Sequence, residues 1–161
     1  SGGSGYRNQI LLWDLKQIVM EDLLKEKLWF YIIHNNPDLM FTLQEDYSVL
    51  DYLNEKISSV KSILDDMLSD GTPKYIIEEI CLNVLTEDLK PSRFLYIRSL
   101  LSDEFDKTYA AFQESGILTY EIMNLMENCS PVFETIGFTK ENEEDPNLRN
   151  ALIGQIADYL N

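Results

Sequence analysis

The stretch from Val84 to Phe105 limits the fold more than any other part of this sequence. A helical pattern ends near Leu85, a corner of a few residues follows, and a second helical pattern begins at once. Pro91 suits the first turn of that second helix, because the N–H group that proline lacks has no helical partner there. Ser92 is the alternative as N-cap, and the sequence leaves the choice open. Because the corner is so short, the two helices must be neighbours, and the other helices pack around this pair.

The second helix of the pair has a well-defined apolar face. Its large apolar residues recur at spacings of three and four, which places them on one side of a helix. They are Phe94, Ile97, Leu101 and Phe105, with Leu100 beside them. We expect this helix to run from Ser92 to Ala111, with its apolar face in the core.

The most regular pattern lies between Tyr47 and Ser69. Steps of three and four alternate there over about three heptads. The positions are Leu50, Leu53, Ile57, Val60, Leu64 and Met67. A helix of a bundle is favoured over a coiled coil because the segment is short. Gly71 ends the helix at the left-handed cap position.

Helical spacing also appears around residues 24–32, 73–85, 119–127, 130–136 and 146–160, and no stretch alternates with a period of two. The chain has 161 residues, of which 45% are hydrophobic, which suits one domain with a full core. The sequence therefore predicts an all-α fold. We expect a single-domain, irregular helical bundle of about six to seven helices with short connections.

The N-terminal segment divides into three parts in this interpretation. Residues 1–5 are Ser-Gly-Gly-Ser-Gly, which is typical of a leader left by cloning, and we exclude them from the fold. Residues 6–20 are expected to form an N-terminal amphipathic helix, an extension of a helical bundle domain at residues 21–161. Whether residues 6–34 form one helix or two stays open. The apolar side of the extension carries Ile10, Leu11, Leu15, Ile18 and Val19.

A helix as short as this extension is marginal alone in water, so it must dock somewhere. We expect it to dock on its own domain through that apolar side. The alternative is docking on a second copy, which would make the protein a homodimer instead of a monomer.

The charge of the chain excludes two classes of partner. Thirteen Lys and Arg stand against 28 Asp and Glu, a formal net charge of −15, which repels nucleic-acid phosphates and anionic membranes. We therefore expect no nucleic-acid partner and no membrane partner. A more specific interpretation of the same charge is an acidic face that binds a basic protein. Cys81 and Cys129 lack metal-ligand spacing and suit two buried free thiols in a reducing cytoplasm.

No motif in the sequence indicates catalysis or a cofactor. His34 is the only histidine, and neither Glu-x-x-His nor a glycine-rich phosphate loop occurs. The paired carboxylates are more typical of a solvated surface than of a metal site. We therefore predict no catalytic, cofactor-binding or metal-ligating residues and no enzymatic activity. The candidate interaction surface comprises a basic and aromatic spot, one tryptophan and an acidic loop: Arg93, Tyr96, Arg98, Trp13, Glu141, Glu143 and Glu144.

The spacing of landmarks along the chain resembles an uncharacterised family of small all-helical proteins from Bacteroidetes, often encoded beside conjugative-transposon genes. Asp88 and Pro91 stand where that family has a glycine and an aromatic residue, and the helix at 6–19 extends beyond its usual start. The family has no established activity, so the resemblance implies a cytoplasmic helical fold and a mobile-element setting but no reaction. The matching landmarks are Tyr31-Ile32, Pro37-Asp38-Leu39, Gly71, Val84-Leu85, Leu89, Ser92, Phe94, Leu100-Leu101, Glu104-Phe105, Val132-Phe133, Gly137, Leu152, Gly154, Ile156 and Leu160.

Three functions are compatible with these observations. The first is a non-enzymatic cytoplasmic interaction or accessory module, able to self-associate. The second is an acidic inhibitor or immunity-type protein that occupies a basic target. The third, ranked last, is an enzyme with an unrecognised carboxylate site.

Overall fold

The helices of this chain follow one another with short connections. The computed structural model describes the backbone from Gly2 to Asn161 and the side chains from Leu11 onward. Over that range it has eight α-helices, one short 3₁₀ helix and no strand, which confirms the all-α prediction. The α-helices are α1 (Gly2–Asn35), α2 (Pro37–Glu45), α3 (Val49–Ser69), α4 (Lys74–Thr86), α5 (Arg93–Glu104), α6 (Asp106–Glu114), α7 (Leu118–Ile136) and α8 (Pro146–Leu160), and the 3₁₀ helix is Glu87–Leu89.

The contacts between Cα atoms divide the chain into two compact units. Unit 1 contains the residues to Ile33 together with Thr42–Asp88, and unit 2 contains His34–Phe41 together with Leu89–Asn161. The division expected between residues 20 and 21 falls inside α1 and coincides with no border of either unit. The open question about the N-terminal segment is also answered, since α1 is one continuous helix.

Unit 1 is built on the packing of α3 against α4, which a short turn connects. The heptad pattern of α3 is confirmed at its centre, where Leu53, Ile57, Val60 and Leu64 are buried. The prediction that the first member of the pattern is buried is wrong, because Leu50 is 71% exposed. The helix begins only at Val49, so Leu50 lies in the first turn, at the edge of the core.

The turn between α3 and α4 follows the sequence signals closely. Gly71 has φ +69°, the left-handed conformation that glycine adopts at low cost, and this prediction is confirmed. Pro73 is the N-cap of α4, so the helix begins at Lys74, one residue after the start of the helical spacing at residue 73. The helix then buries Ile77, Cys81 and Leu85 at steps of four.

Unit 2 has its core between α5, α7 and α8. The side chains of the core are fully or almost fully buried. They are Phe94, Ile97, Leu100 and Leu101 from α5; Ile122, Leu125, Cys129 and Phe133 from α7; and Leu148, Leu152 and Ile156 from α8.

The start of α5 resolves the choice that the sequence left open. Ser92 is the N-cap, and its Oγ accepts a hydrogen bond of 3.1 Å from the N–H of Leu95. The same hydroxyl donates to the carbonyl oxygen of Asn35, which ties the end of α1 to the start of α5 within unit 2. Pro91 therefore lies before the helix and not in its first turn.

Three helix boundaries differ from the sequence expectation. The expected helix 92–111 is two helices, because Phe105, packed against the core, leaves the helical conformation (φ −135°, ψ 49°). The expected pieces 119–127 and 130–136 are one helix, α7, in which the exposed Pro131 is accommodated while the buried face continues on the other side. Residues 37–45, which lie outside every stretch of helical spacing found in the sequence, form α2, with Pro37 as its first residue.

Candidate interaction surfaces

The N-terminal half of α1 exposes large apolar side chains. Leu11, Leu12, Leu15, Ile18 and Val19 are each 53–60% exposed. Three of them, Leu11, Leu15 and Ile18, follow one another at steps of four and three and form one stripe, which we name the ridge. Such a concentration of exposed apolar surface is uncommon in a monomeric protein and is typical of an interaction site.

The expectation that this side of the helix packs on its own domain is wrong. Among the described side chains of α1, the buried apolar residues are Met20, Leu24, Leu28 and Ile32, and Leu24 lies opposite Leu15. Leu15 and Leu24 are nine residues apart, about two and a half turns of 3.6 residues, so their side chains point in opposite directions. The described part of α1 therefore carries apolar residues on two sides, exposed between Leu11 and Val19 and buried from Met20 onward.

Polar contacts hold α1 in place within unit 1. The side-chain amide of Gln17 donates a hydrogen bond to a carboxylate oxygen of Asp65 on α3. Farther along, Nζ of Lys27 lies 2.8 Å from Oε2 of Glu78 on α4. Both contacts come from the covered side of α1, and they leave the ridge exposed.

A groove of about 520 Å³ lies beside the ridge, where α1 approaches the turn between α3 and α4. Most of its walls are apolar, and Lys16 and Lys74 are among the lining residues. Lys74 also approaches the half-buried Glu78, with Nζ 4.0 Å from Oε1. The lining comprises Leu12, Leu15, Lys16, Val19 and Met20 from α1, Leu68, Gly71 and Thr72 from the end of α3 and the turn, and Lys74 and Ile77 from α4.

The sequence predicts the apolar side that carries Leu11, Leu15, Ile18 and Val19, but it does not reveal the adjoining groove. Of the residues named beforehand as a candidate interaction surface, only Trp13 belongs to α1, and it is half-buried on the covered side, four residues before Gln17. One signal was available, since Leu12, Leu15 and Val19 share a helical stripe at steps of three and four. Leu68 and Lys74 could be found only from the tertiary structure, because they come from other helices.

Within unit 2 the structure brings Arg93 and Tyr96 to neighbouring aromatic rings. The guanidinium carbon of Arg93 lies 4.8 Å from the ring centroid of Phe133, a distance typical of a cation–π contact. One Nη of Arg93 also lies 3.0 Å from a carboxylate oxygen of Glu134. The ring of Tyr96 meets that of Phe138 edge to face, with 5.2 Å between centroids.

The electrostatic surroundings of Tyr96 connect it with the acidic loop. Burial is the main cause that raises the pKa of its phenol above the ordinary value. Arg149 lowers this pKa, whereas the carboxylates of Asp145 and Glu143 raise it. Of the three loop glutamates named in advance, Glu143 is therefore grouped with Tyr96.

Arg98 points elsewhere, as its spacing of five from Arg93 predicts. Its Nε donates a hydrogen bond of 3.3 Å to the phenol oxygen of Tyr109 on α6. The seven residues predicted as one surface thus fall into separate places in the chain.

The acidic loop before α8 is organised by Asn142, a residue that sequence reasoning overlooked. Its Oδ1 accepts a hydrogen bond of 2.7 Å from the N–H of Thr139, and its Nδ2 donates one of 2.7 Å to the carbonyl of Gly137. Glu141 and Glu144 project from this loop and are exposed. A hydrogen bond from its own backbone N–H, then one from Thr139, lowers the pKa of the Glu141 carboxyl.

Two further observations concern ligands and membranes. Among the residues with described side chains, no group of three or more His, Cys, Asp or Glu is placed so that it could hold a metal ion. In the part of the chain that the structure covers, every helix is too short or too polar to cross a bilayer.

Comparison of the chain with protein-family models, with curated proteins and with solved structures yields no match. The class that the fold and these surfaces define is therefore an all-α protein with an exposed apolar helix face. The resemblance to the Bacteroidetes family stays a prediction.

Proposed function

We propose that this protein is a non-enzymatic cytoplasmic interaction module whose contact surface is the exposed face of α1 together with the adjoining groove. One observation carries the proposal: five large apolar side chains in nine consecutive residues, Leu11 to Val19, each more than half exposed. Water contact with that much apolar surface is unfavourable, and burial against a partner removes it.

The position of this face also suits a binding role. Gln17 and Met20, on the opposite side of α1, hold the helix against unit 1, so the apolar face is presented on a fixed support. A preformed helix loses little conformational entropy when it binds, which favours affinity. The setting beside mobile-element genes, which the sequence resemblance implies, is part of the same proposal and predicts a partner encoded nearby.

A capture experiment in the native host tests the proposal. Tagged wild-type protein is compared with Leu15→Glu, and with Leu50→Glu as a control that places the same charge on another exposed leucine of unit 1. We expect wild type and Leu50→Glu to recover the same partner, or the untagged native copy, in near-stoichiometric amount, and Leu15→Glu to lose it. Recovery of identical proteins by all three would contradict the proposal.

The second candidate function is an acidic inhibitor or immunity-type protein. The formal net charge of −15 favours it, as do the exposed carboxylates of Glu141 and Glu144. This function predicts a basic partner whose binding weakens steeply with added salt. It also predicts that Glu141→Gln together with Glu144→Gln reduces binding, whereas Leu15→Glu leaves it unchanged.

A further inference from the structure

We infer that the partner seated on the apolar face of α1 is a second copy of this chain, related by a two-fold axis that runs parallel to α1 beside Leu15. This inference rests on the proposed function and adds the identity of the partner. It starts from the observation that a ridge and a groove lie side by side on the same helix.

The shape of the surface is self-complementary. Leu11 and Ile18 lie on one flank of Leu15, and the groove residues Leu12 and Val19 lie on its other flank, as a rotation of 100° per residue requires. A two-fold axis parallel to the helix exchanges the flanks, so the ridge of each copy meets the groove of the other. An isologous dimer interface requires this property, because one patch must fit itself.

The charges along the rim agree with the same arrangement. Asp14 borders the ridge, and Lys16 borders the groove, about 100° to either side of Leu15. The parallel two-fold axis therefore brings Lys16 of each copy to the side where Asp14 of the other lies. An antiparallel crossing would instead keep the two Lys16 residues on one flank and the two Asp14 residues on the other.

The area of the exposed apolar surface limits how tightly two copies can bind. A fully exposed Leu, Ile or Val presents roughly 60–120 Å² of apolar area, so five side chains a little over half exposed give a few hundred Å² per copy. With the polar rim included, the buried total over both copies is at most about 1,000 Å², at the lower limit for specific interfaces. We therefore expect a reversible dimer that dissociates in the micromolar range.

The net charge of each copy opposes this dimer at long range. Two chains of formal charge −15 repel one another, and salt screens that repulsion over a Debye length of about 8 Å at physiological ionic strength. The contact surface itself is apolar, so added salt weakens the opposing force more than the attraction. Dimerisation should strengthen with salt, opposite to the behaviour of a complex with a basic partner.

Sedimentation equilibrium of the full chain tests the inference over concentrations of about 1–200 μM, which bracket a weak dimer. The wild-type mass is expected to rise from 18.7 kDa toward twice that value, and to rise further at higher salt. Leu15→Glu is expected to raise the dissociation constant of the dimer at least about tenfold. Leu50→Glu introduces the same change at another exposed leucine, and its dissociation constant is expected to match that of wild type. Circular dichroism verifies that both variants are folded.

A charge exchange tests the direction of the axis. Lys16→Glu alone is expected to weaken the dimer several-fold, as is Asp14→Lys, and the double variant is expected to recover most of the loss. Additive losses in the double variant would overturn the parallel arrangement.

Further outcomes separate this inference from the proposed function. A wild-type chain that stays at 18.7 kDa throughout would overturn the second copy as partner. If such a monomer still captured another protein in a manner that Leu15→Glu abolishes, the interaction module would stand with a different partner. If that capture also failed, both conclusions would fall.

Discussion

Replacing Leu101 by alanine tests the assignment of the buried face of α5. The expectation that the two helices flanking the corner form one pair at the centre of the fold is wrong, because α4 belongs to unit 1 and α5 to unit 2. Leu101 is fully buried in the core between α5, α7 and α8. The change removes three carbon atoms, worth about 0.8 kcal/mol each in transfer from water. It also leaves a cavity, because the residues of this core, such as Leu125 and Leu152, belong to other helices and relax only in part.

Together these effects predict a loss of about 3–5 kcal/mol in the free energy of unfolding. That is a large fraction of the roughly 5–15 kcal/mol that stabilises an ordinary domain. For a chain of this length, the melting temperature is expected to fall by about 2–4 °C for each kcal/mol.

Urea unfolding followed by far-ultraviolet circular dichroism measures the change. Circular dichroism is preferred to tryptophan fluorescence because Trp13 and Trp29 both lie on α1, in unit 1, whereas Leu101 lies in unit 2. Ser99→Ala is the matched control, since Ser99 is exposed on the same helix and its loss is expected to stay within about 0.5 kcal/mol. Equal losses at the two positions would refute the assignment of the buried face of α5.

Three smaller predictions follow from local structure. Ser92→Ala removes the cap of α5 and is expected to cost about 1 kcal/mol or more in urea unfolding, and an unchanged midpoint would contradict the cap. Gly71→Ala is expected to cost about 1–2 kcal/mol through its φ of +69° alone, since no atom lies within 4 Å of the added Cβ. Burial raises the thiol pKa of Cys81 and raises that of Cys129 to about 11. A thiol reagent at about pH 8, close to the ordinary thiol pKa of about 8.5, should therefore react slowly with the folded protein and rapidly in urea. Equal reactivity with and without urea would show that the thiols are not buried.

The sequence by itself determined which segments are helical and where several of them end. The core of α3 follows from spacing alone, because Leu53, Ile57, Val60 and Leu64 can share a side only in a helix. The left-handed turn at Gly71 is likewise a local property, since it depends on the conformational freedom of one residue. Ser92 was one of two local choices, and its hydroxyl has one partner in α1 and one in α5.

Other boundaries depend on contacts that the local sequence does not contain. The residues around Phe105 include neither glycine nor proline, so nothing local marks the break between α5 and α6. The break accompanies the packing of Phe105 against the core of unit 2. Pro131 signals a break that does not occur, because the proline lies on the exposed side while Cys129 and Phe133 keep the buried face in register.

Only the tertiary structure decided which side of α1 is covered. The sequence places apolar residues on both sides of the helix, with Leu15 on one and Leu24 on the other. Spacing reports that a stripe is apolar, but the free energy of burial depends on which stripe meets another surface. That choice is made by residues far away in sequence, such as Asp65, which accepts the hydrogen bond of Gln17. The ridge and its groove therefore exist only once α1, α3 and α4 have come together.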